Sequence, residues 1–191
     1  DYLQSRPEVD PQRIGCTGNS GGGILTAYMV ALDDRVQVAA PSCYLNNLPA
    51  TLRPAGAMDA EHHTWASMSV GPQQTDLLML RAPVPTLLCE GTKDYFPIEG
   101  SWQAIRYAKR LYTRLGFAER IDLIENDAPH NYNRPLREGV ARWMSRWLLH
   151  EDLPITEPSI VVLTDREAQC TPDGQVLQLP GARSAYDLND D

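Results

Sequence analysis

The stretch Arg13-Ile14-Gly15-Cys16-Thr17-Gly18-Asn19-Ser20-Gly21-Gly22 decides how the chain is read. Gly18 to Gly22 fits G-x-S-x-G, and the flanks supply the context that pattern needs. Arg13 to Thr17 reads as a short buried strand, and Gly23 to Leu32 as an apolar helix. The serine therefore falls where a strand turns sharply into a helix. Such a corner holds the serine backbone in strain so that its hydroxyl points out of the sheet, and small neighbours are needed to avoid collision. Glycine-rich runs also build ordinary turns and phosphate loops. This one lacks the Lys-Ser/Thr ending of a Walker loop and the G-x-G-x-x-G of a dinucleotide site. The amide of Gly21 opens the helix, where free N–H groups and the positive end of the helix dipole favour a developing oxyanion.

Downstream, strand and helix alternate. Asp33-Asp34-Arg35 ends the first helix, and Val36 to Ala40 reads as the next strand. Pro83 to Gly91 reads as a third strand, followed by Thr92-Lys93-Asp94. Ser101 to Leu115 reads as a helix with Trp102, Ile105, Leu111 and Leu115 on its apolar side and Gly116 as its stop. Arg120 to Ile124 reads as a fourth strand; the loop after it carries His130, and a further helix begins near Pro135. Leu136, Val140, Trp143 and Trp147 repeat at helical spacing as core contacts. This order predicts an α/β fold, a mostly parallel sheet with helices on both faces. Residues 1–150 make the main domain. From Glu151 prolines interrupt the texture, so residues 151–191 read as an extended tail or linker, with Ile160 to Leu163 a candidate short strand.

Bulk properties narrow the function classes. The chain has 191 residues and a formal net charge of −8, with no Lys/Arg stripe, which argues against a nucleic-acid partner. No apolar run approaches a membrane span. The chain opens on Asp1-Tyr2-Leu3-Gln4, with neither an initiating Met nor a signal-like segment. Cys16, Cys43, Cys89 and Cys170 lack metal-type spacing, and the first three read as small core hydrophobes. His62 and His63, in an irregular segment spanning residues 44–79, are adjacent and so poorly disposed to share a metal; a surface position is expected. No cofactor and no metal are called for.

Ser20, Asp94 and His130 each follow a predicted strand, so a parallel sheet would gather them at one edge. Their order, Ser then Asp then His, is that of the α/β-hydrolases. In that chemistry His130 takes the Ser20 proton, Asp94 orients the imidazole, and the Gly21 amide binds the oxyanion. Arg6-Pro7-Glu8-Val9-Asp10-Pro11-Gln12-Arg13-Ile14-Gly15, the Thr17-Gly18-Asn19-Ser20-Gly21-Gly22-Gly23 run, Gly91-Thr92-Lys93-Asp94 and Ala128-Pro129-His130-Asn131-Tyr132 together resemble bacterial acetyl xylan esterase and cephalosporin-C deacetylase relatives, near the prolyl oligopeptidase-like branch of the α/β-hydrolase superfamily. The resemblance covers residues 1–150. It implies a sheet of which this chain supplies the second half, with the N-terminal half of the domain and the second oxyanion donor in upstream sequence or another chain. It implies a serine esterase removing small acyl groups from a carbohydrate or related small ester. A prolyl oligopeptidase-like peptidase and a non-catalytic hydrolase-like binding module stand as alternatives.

Overall fold

A computed structural model describes residues 1–55, 69 and 73–190. The reading of His62 and His63 falls outside the described residues. Strand β1 (Gly15–Asn19) leads through Ser20 into helix α1 (Gly21–Leu32). Strand β2 (Val38–Ser42) is followed by helices α2 (Leu48–Ala55) and α3 (Gln74–Leu80). Strand β3 (Thr86–Gly91) leads to α4 (Ile98–Leu115), and β4 (Ile121–Asn126) to α5 (Arg134–Met144), which runs on into a π-helical turn at Ser145–Leu149. The start of the chain forms a single 3₁₀ turn at Leu3–Ser5.

The strands form one parallel sheet in the order β1-β2-β3-β4. Gly15 pairs with Val38 and Asn19 with Ser42, Ser42 pairs with Cys89, and Thr86 pairs with Ile121 and Gly91 with Asn126, so β1 and β2 end level with each other and two residues short of β3 and β4. β2 and β3 are buried at every position, as central parallel strands covered on both faces are. On one face Ile24 and Ala27 of α1, Leu78 of α3 and Ala108 and Tyr112 of α4 pack with Tyr44, Leu45 and Leu88. On the other, Leu136, Val140 and Trp143 of α5 pack with Val38, Ala40, Leu87 and Cys89. β1 lies at the sheet edge, with Gly15 and Thr17 exposed.

Helix α4 buries a different face from the one its large residues suggest. Gly100, Ser101, Ala104, Ala108 and Tyr112 face the core, while Trp102 and Leu115 are exposed. Close approach explains the choice: a Cβ on Gly100 would lie 1.6 Å from Asn46 Oδ1. Trp102 instead donates its indole N–H to Glu125 at 2.7 Å. Gly116 ends α4 in the left-handed conformation (φ 86°), the role its sequence position predicts.

The chain divides into two compact units, Asp1–Glu157 and Pro158–Asp191. Residues past α5 stay with the first unit as far as Glu157, whose carboxylate accepts two hydrogen bonds from Arg137, 2.6 and 2.7 Å. The second unit has short helices, α6 (Asp165–Ala168) and α7 (Ala185–Asn189), each with a capping box. The strand considered at Ile160 to Leu163 is not formed; that run is irregular and exposed. β-branched residues favour a strand only when a neighbour accepts their backbone hydrogen bonds. Among the described residues, no helix is long and apolar enough to cross a membrane.

Candidate active site

The site forms where the carboxyl ends of the strands meet their following loops. Ser20 sits at φ 58°, ψ −119°, a conformation that costs a non-glycine residue about 1–3 kcal/mol and persists only where its surroundings over-determine it. Its N–H donates to the Ser42 carbonyl at 2.9 Å, and its carbonyl accepts from Ile24 N–H at 3.0 Å. A Cβ on Gly18 would lie 2.5 Å from the Gly22 carbonyl oxygen, and one on Gly23 only 2.4 Å from that of Ser42. The glycines are thus a packing requirement of the corner. Gly21 is the first residue of α1, so its N–H is among the first-turn donors with no helical acceptor.

Asp94 and His130 come together from the loops after β3 and β4. The Asp94 side chain is buried; Oδ1 accepts Phe96 N–H at 3.0 Å, and Oδ2 lies 2.8 Å from His130 Nδ1. A carboxylate oxygen only accepts, so Nδ1 carries the proton and Nε2 is the accepting nitrogen of the neutral ring. The two loops are laced at their bases. Thr92 N–H donates to Asn126 O, Lys93 N–H to Ala128 O, and the Thr92 hydroxyl and Lys93 ammonium both reach Asp127. The His130 loop is also tied to β1, since the Tyr132 and Thr17 hydroxyls lie 3.1 Å apart.

Among the described residues, no hydrogen bond joins the Ser20 hydroxyl to His130. Nε2 faces the Tyr95 hydroxyl at 3.3 Å, and the Tyr95 ring stacks on the imidazole with centroids 4.5 Å apart. The structure therefore pairs two of the three sequence candidates directly and leaves the third on the adjoining strand-to-helix corner. A base whose accepting nitrogen is met by a half-exposed tyrosine can exchange that contact for another, and such contacts in ligand-free sites are commonly loose.

Two buried groups beneath the site escaped the sequence reading. Glu90, one residue before the end of β3, is 1 % exposed. Desolvation, reinforced by the Asp94 charge, raises its pKa well above the ordinary carboxylate range, although the backbone N–H groups of Leu45 and Tyr44 hydrogen-bond to it. Its signal in the sequence was a lone acid in the otherwise uncharged run Thr86–Gly91. Cys43 holds φ 50° at the end of β2, and its S–H donates to the Asn131 carbonyl at 3.3 Å. Burial pushes its thiol up to about 11. Cys43, Asp94 and His130 offer three donor atoms within 4.8 Å of one another. In this structure Asp94 is hydrogen-bonded to the imidazole, and the Cys43 thiol stands beside that pair with its S–H on Asn131 O.

A four-stranded parallel sheet with a serine corner after β1, an acid after β3 and a histidine after β4 is the carboxyl-terminal arrangement of an α/β-hydrolase fold. Comparisons with known proteins agree. The chain is 27% identical over 153 residues to "Putative hydrolase YtaP" of Bacillus subtilis (strain 168), covering 78% of this chain and 50% of that protein. It thus spans about half the length of that curated relative. Among solved structures it superposes on Methylesterase BT1017 with a TM-score of 0.62 at 24% identity, over 76% of this chain and 32% of that one. It superposes on a carbohydrate esterase family 15 glucuronoyl esterase from Caldicellulosiruptor kristjansonii with a TM-score of 0.61 at 21% identity, over 82% and 50%. It also superposes on an acylaminoacyl peptidase from Pyrococcus horikoshii, TM-score 0.55 at 15% identity, over 84% and 27%. At these identities the structural likenesses establish the fold. No family profile matches the chain.

Proposed function

We propose that this chain carries the catalytic residues of a serine hydrolase that cleaves carboxylic esters through an acyl-enzyme, removing acetyl or a similarly small acyl group from a carbohydrate or related ester. The observation that carries the reading is the 2.8 Å Asp94–His130 pair placed at the same sheet edge as the strained Ser20 corner. The acyl class is supported by the resemblance of the four stretches to acetyl xylan esterases, and the sugar class by that resemblance and by a structural neighbour named as a carbohydrate esterase.

In this mechanism His130 swings its Nε2 from the Tyr95 hydroxyl to Ser20 and takes the hydroxyl proton as oxygen attacks the ester carbonyl. Asp94 keeps the Nδ1–H tautomer and stabilises the imidazolium that results. The Gly21 N–H donates one hydrogen bond to the tetrahedral oxyanion; losing one such donor costs about 3 kcal/mol of transition-state stabilisation. The imidazolium then protonates the departing alcohol, and water repeats the sequence in reverse on the acyl-enzyme. The second donor, with the remaining strands of the sheet, belongs on the open side of β1 in the same or another chain. Gly15 and Thr17 of that edge strand are exposed, as are Leu25, Met29 and Leu32 of the following helix α1.

The test is hydrolysis of p-nitrophenyl acetate and of acetylated oligosaccharides by the full-length protein and its Ser20→Ala variant. Turnover that Ser20→Ala abolishes, with the thermal midpoint unchanged, supports the reading; turnover that survives removes Ser20 from the mechanism. Cleavage of an N-acylated peptide in place of esters would assign a peptidase, and inertness toward both a binding module.

A further inference from the structure

We propose that Glu90 is a positioning residue for the Ser20–His130 reaction, its carboxyl group pinning the amides of Tyr44 and Leu45 and so fixing the buried corner Ser42–Asn46 that joins the serine, acid and histidine loops. The proposal rests on the ester-hydrolase reading and deepens it. The corner touches each component of the site. Ser42 O holds Ser20 N–H at 2.9 Å, and the Ser42 hydroxyl donates to Asn19 Oδ1 at 3.2 Å. Cys43 N–H donates to Cys89 O at 2.8 Å, and its thiol reaches Asn131 O, next to His130. Leu45 O accepts the Ser101 hydroxyl at 2.7 Å, and the Asn46 side chain donates to Pro97 O at 2.7 Å. Residues 42–46 are all fully buried, so water cannot replace a lost acceptor.

The Glu90 carboxyl group accepts from two successive amides of that corner, Tyr44 and Leu45. Its other oxygen, Oε1, is buried with no partner among the described residues. A carboxyl group with one oxygen accepting and one oxygen unmet is placed to be the neutral acid, with the proton on Oε1. Burial and the neighbouring Asp94 carboxylate both favour that form. The titratable groups around it are Asp94 on its own loop, His130 behind Asp94, and the thiols of Cys43 and Cys89, which burial keeps neutral. Ionising Glu90 would place a second negative charge beside Asp94 and pull on the corner that sets Ser20.

The experiment compares Glu90→Gln, which keeps a neutral acceptor of the same shape, with Glu90→Ala, which leaves both amides bare. With p-nitrophenyl acetate at neutral pH, Glu90→Ala is expected to lose about tenfold or more in kcat with KM little changed, and Glu90→Gln to stay within about threefold of wild type. As pH rises through the Glu90 ionisation, wild type loses activity, and Glu90→Gln lacks that limb. A merely space-filling role would leave the pH profiles superimposed. Hydrogen exchange at the Tyr44 and Leu45 amides, read without turnover, should be protected in wild type and Glu90→Gln and fast in Glu90→Ala. If Glu90→Ala does not fold, the Glu90→Gln pH profile decides alone. Superimposed pH profiles, or wild-type kcat in Glu90→Ala, overturn the proposal while the esterase reading stands. A wild-type protein inert toward esters overturns that reading, and the positioning role with it.

Discussion

Replacing Gly23 by alanine tests whether the serine corner is built as the packing implies. Gly23 lies in the first turn of α1, where alanine on intrinsic preference alone would stabilise a helix by about 1 kcal/mol. Here the new methyl would stand 2.4 Å from the Ser42 carbonyl oxygen, 3.2 Å from Ser42 N and 3.1 Å from Tyr44 Cβ. The first distance falls about 1 Å short of the 3.4 Å at which ordinary contact begins. Two of the three neighbours are backbone, so no rotamer change relieves them. Overpacking of this kind costs about 1–3 kcal/mol. The displaced carbonyl is also the acceptor of Ser20 N–H, and a buried amide left bare costs about 1–3 kcal/mol more. Subtracting the helix gain leaves a net loss of about 1–5 kcal/mol, a fall in thermal midpoint of about 2–20 °C for a chain of this length. Because the shift runs through Ser20, the proposed ester hydrolysis should fall by about a hundredfold, the usual cost of misplacing a reacting atom by about 1 Å. Gly22→Ala is the control, since no atom lies within 4 Å of its Cβ position. It should be neutral or slightly stabilising by urea titration and should leave the reaction of Ser20 with a fluorophosphonate unchanged. A Gly23→Ala protein as stable and as reactive as Gly22→Ala would refute the reasoning.

Three further outcomes are expected. Asp94→Asn keeps the shape of the side chain but no longer fixes the Nδ1–H tautomer, so turnover of p-nitrophenyl acetate should fall by about 10⁴-fold with the fold retained; a fall under tenfold would detach Asp94 from the chemistry. Tyr95→Phe removes the hydroxyl that occupies Nε2 in the resting state, so kcat should hold or rise, by up to about tenfold for one neutral hydrogen bond; a tenfold fall would make that hydroxyl part of the reaction. Glu90→Gln should change stability with a defined sign. Glu90 in the folded protein holds its proton well above its ordinary value of 4.5, so between those limits the native state binds more protons than the unfolded chain. Wild-type stability therefore declines as pH rises above 4.5, by up to about 1.4 kcal/mol per pH unit, relative to a glutamine variant that does not titrate. Urea midpoints at pH 4, 6 and 8 measure the difference; a gap constant across that range counts against a neutral Glu90.

The strands were legible because β2 and β3, buried on both faces, spell their burial as unbroken uncharged runs closed by Pro and Gly, with Glu90 the exception. The face of α4 was not, because hydrophobicity points to Trp102 and Leu115 while close approach selects Gly100, Ser101, Ala104 and Ala108. The residues that permit contact are the ones a hydrophobic pattern weights least. Ile160 to Leu163 misleads for the opposite reason: its β preference is intrinsic to the side chains, whereas a strand needs a partner that no local pattern supplies. In the site, Ser20, Asp94 and His130 were readable from their order after successive strands. The contacts of Glu90, Tyr95 and Tyr132 were not, because each depends on which distant group the sheet brings alongside.

The placement of strain explains why the site is a property of neighbouring strands and not of the serine motif alone. Ser20 (φ 58°) and Cys43 (φ 50°) are non-glycine residues in left-handed territory, and they flank a single hydrogen bond from Ser20 N–H to Ser42 O. Each conformation costs about 1–3 kcal/mol and must be held by contacts that cannot relax. For Ser20 those contacts are the Ser42 carbonyl and the two glycines that admit it; for Cys43 they are Cys89 O, Asn131 O and the adjoining amides bound by Glu90. One end of this chain is the proposed nucleophile, and the other is the backbone next to the proposed base. A shift of β2 against β1 or β3 would release both strained residues at once. The distance between Ser20 and His130 is therefore set by the register of three strands, with the Ser42–Asn46 corner transmitting it.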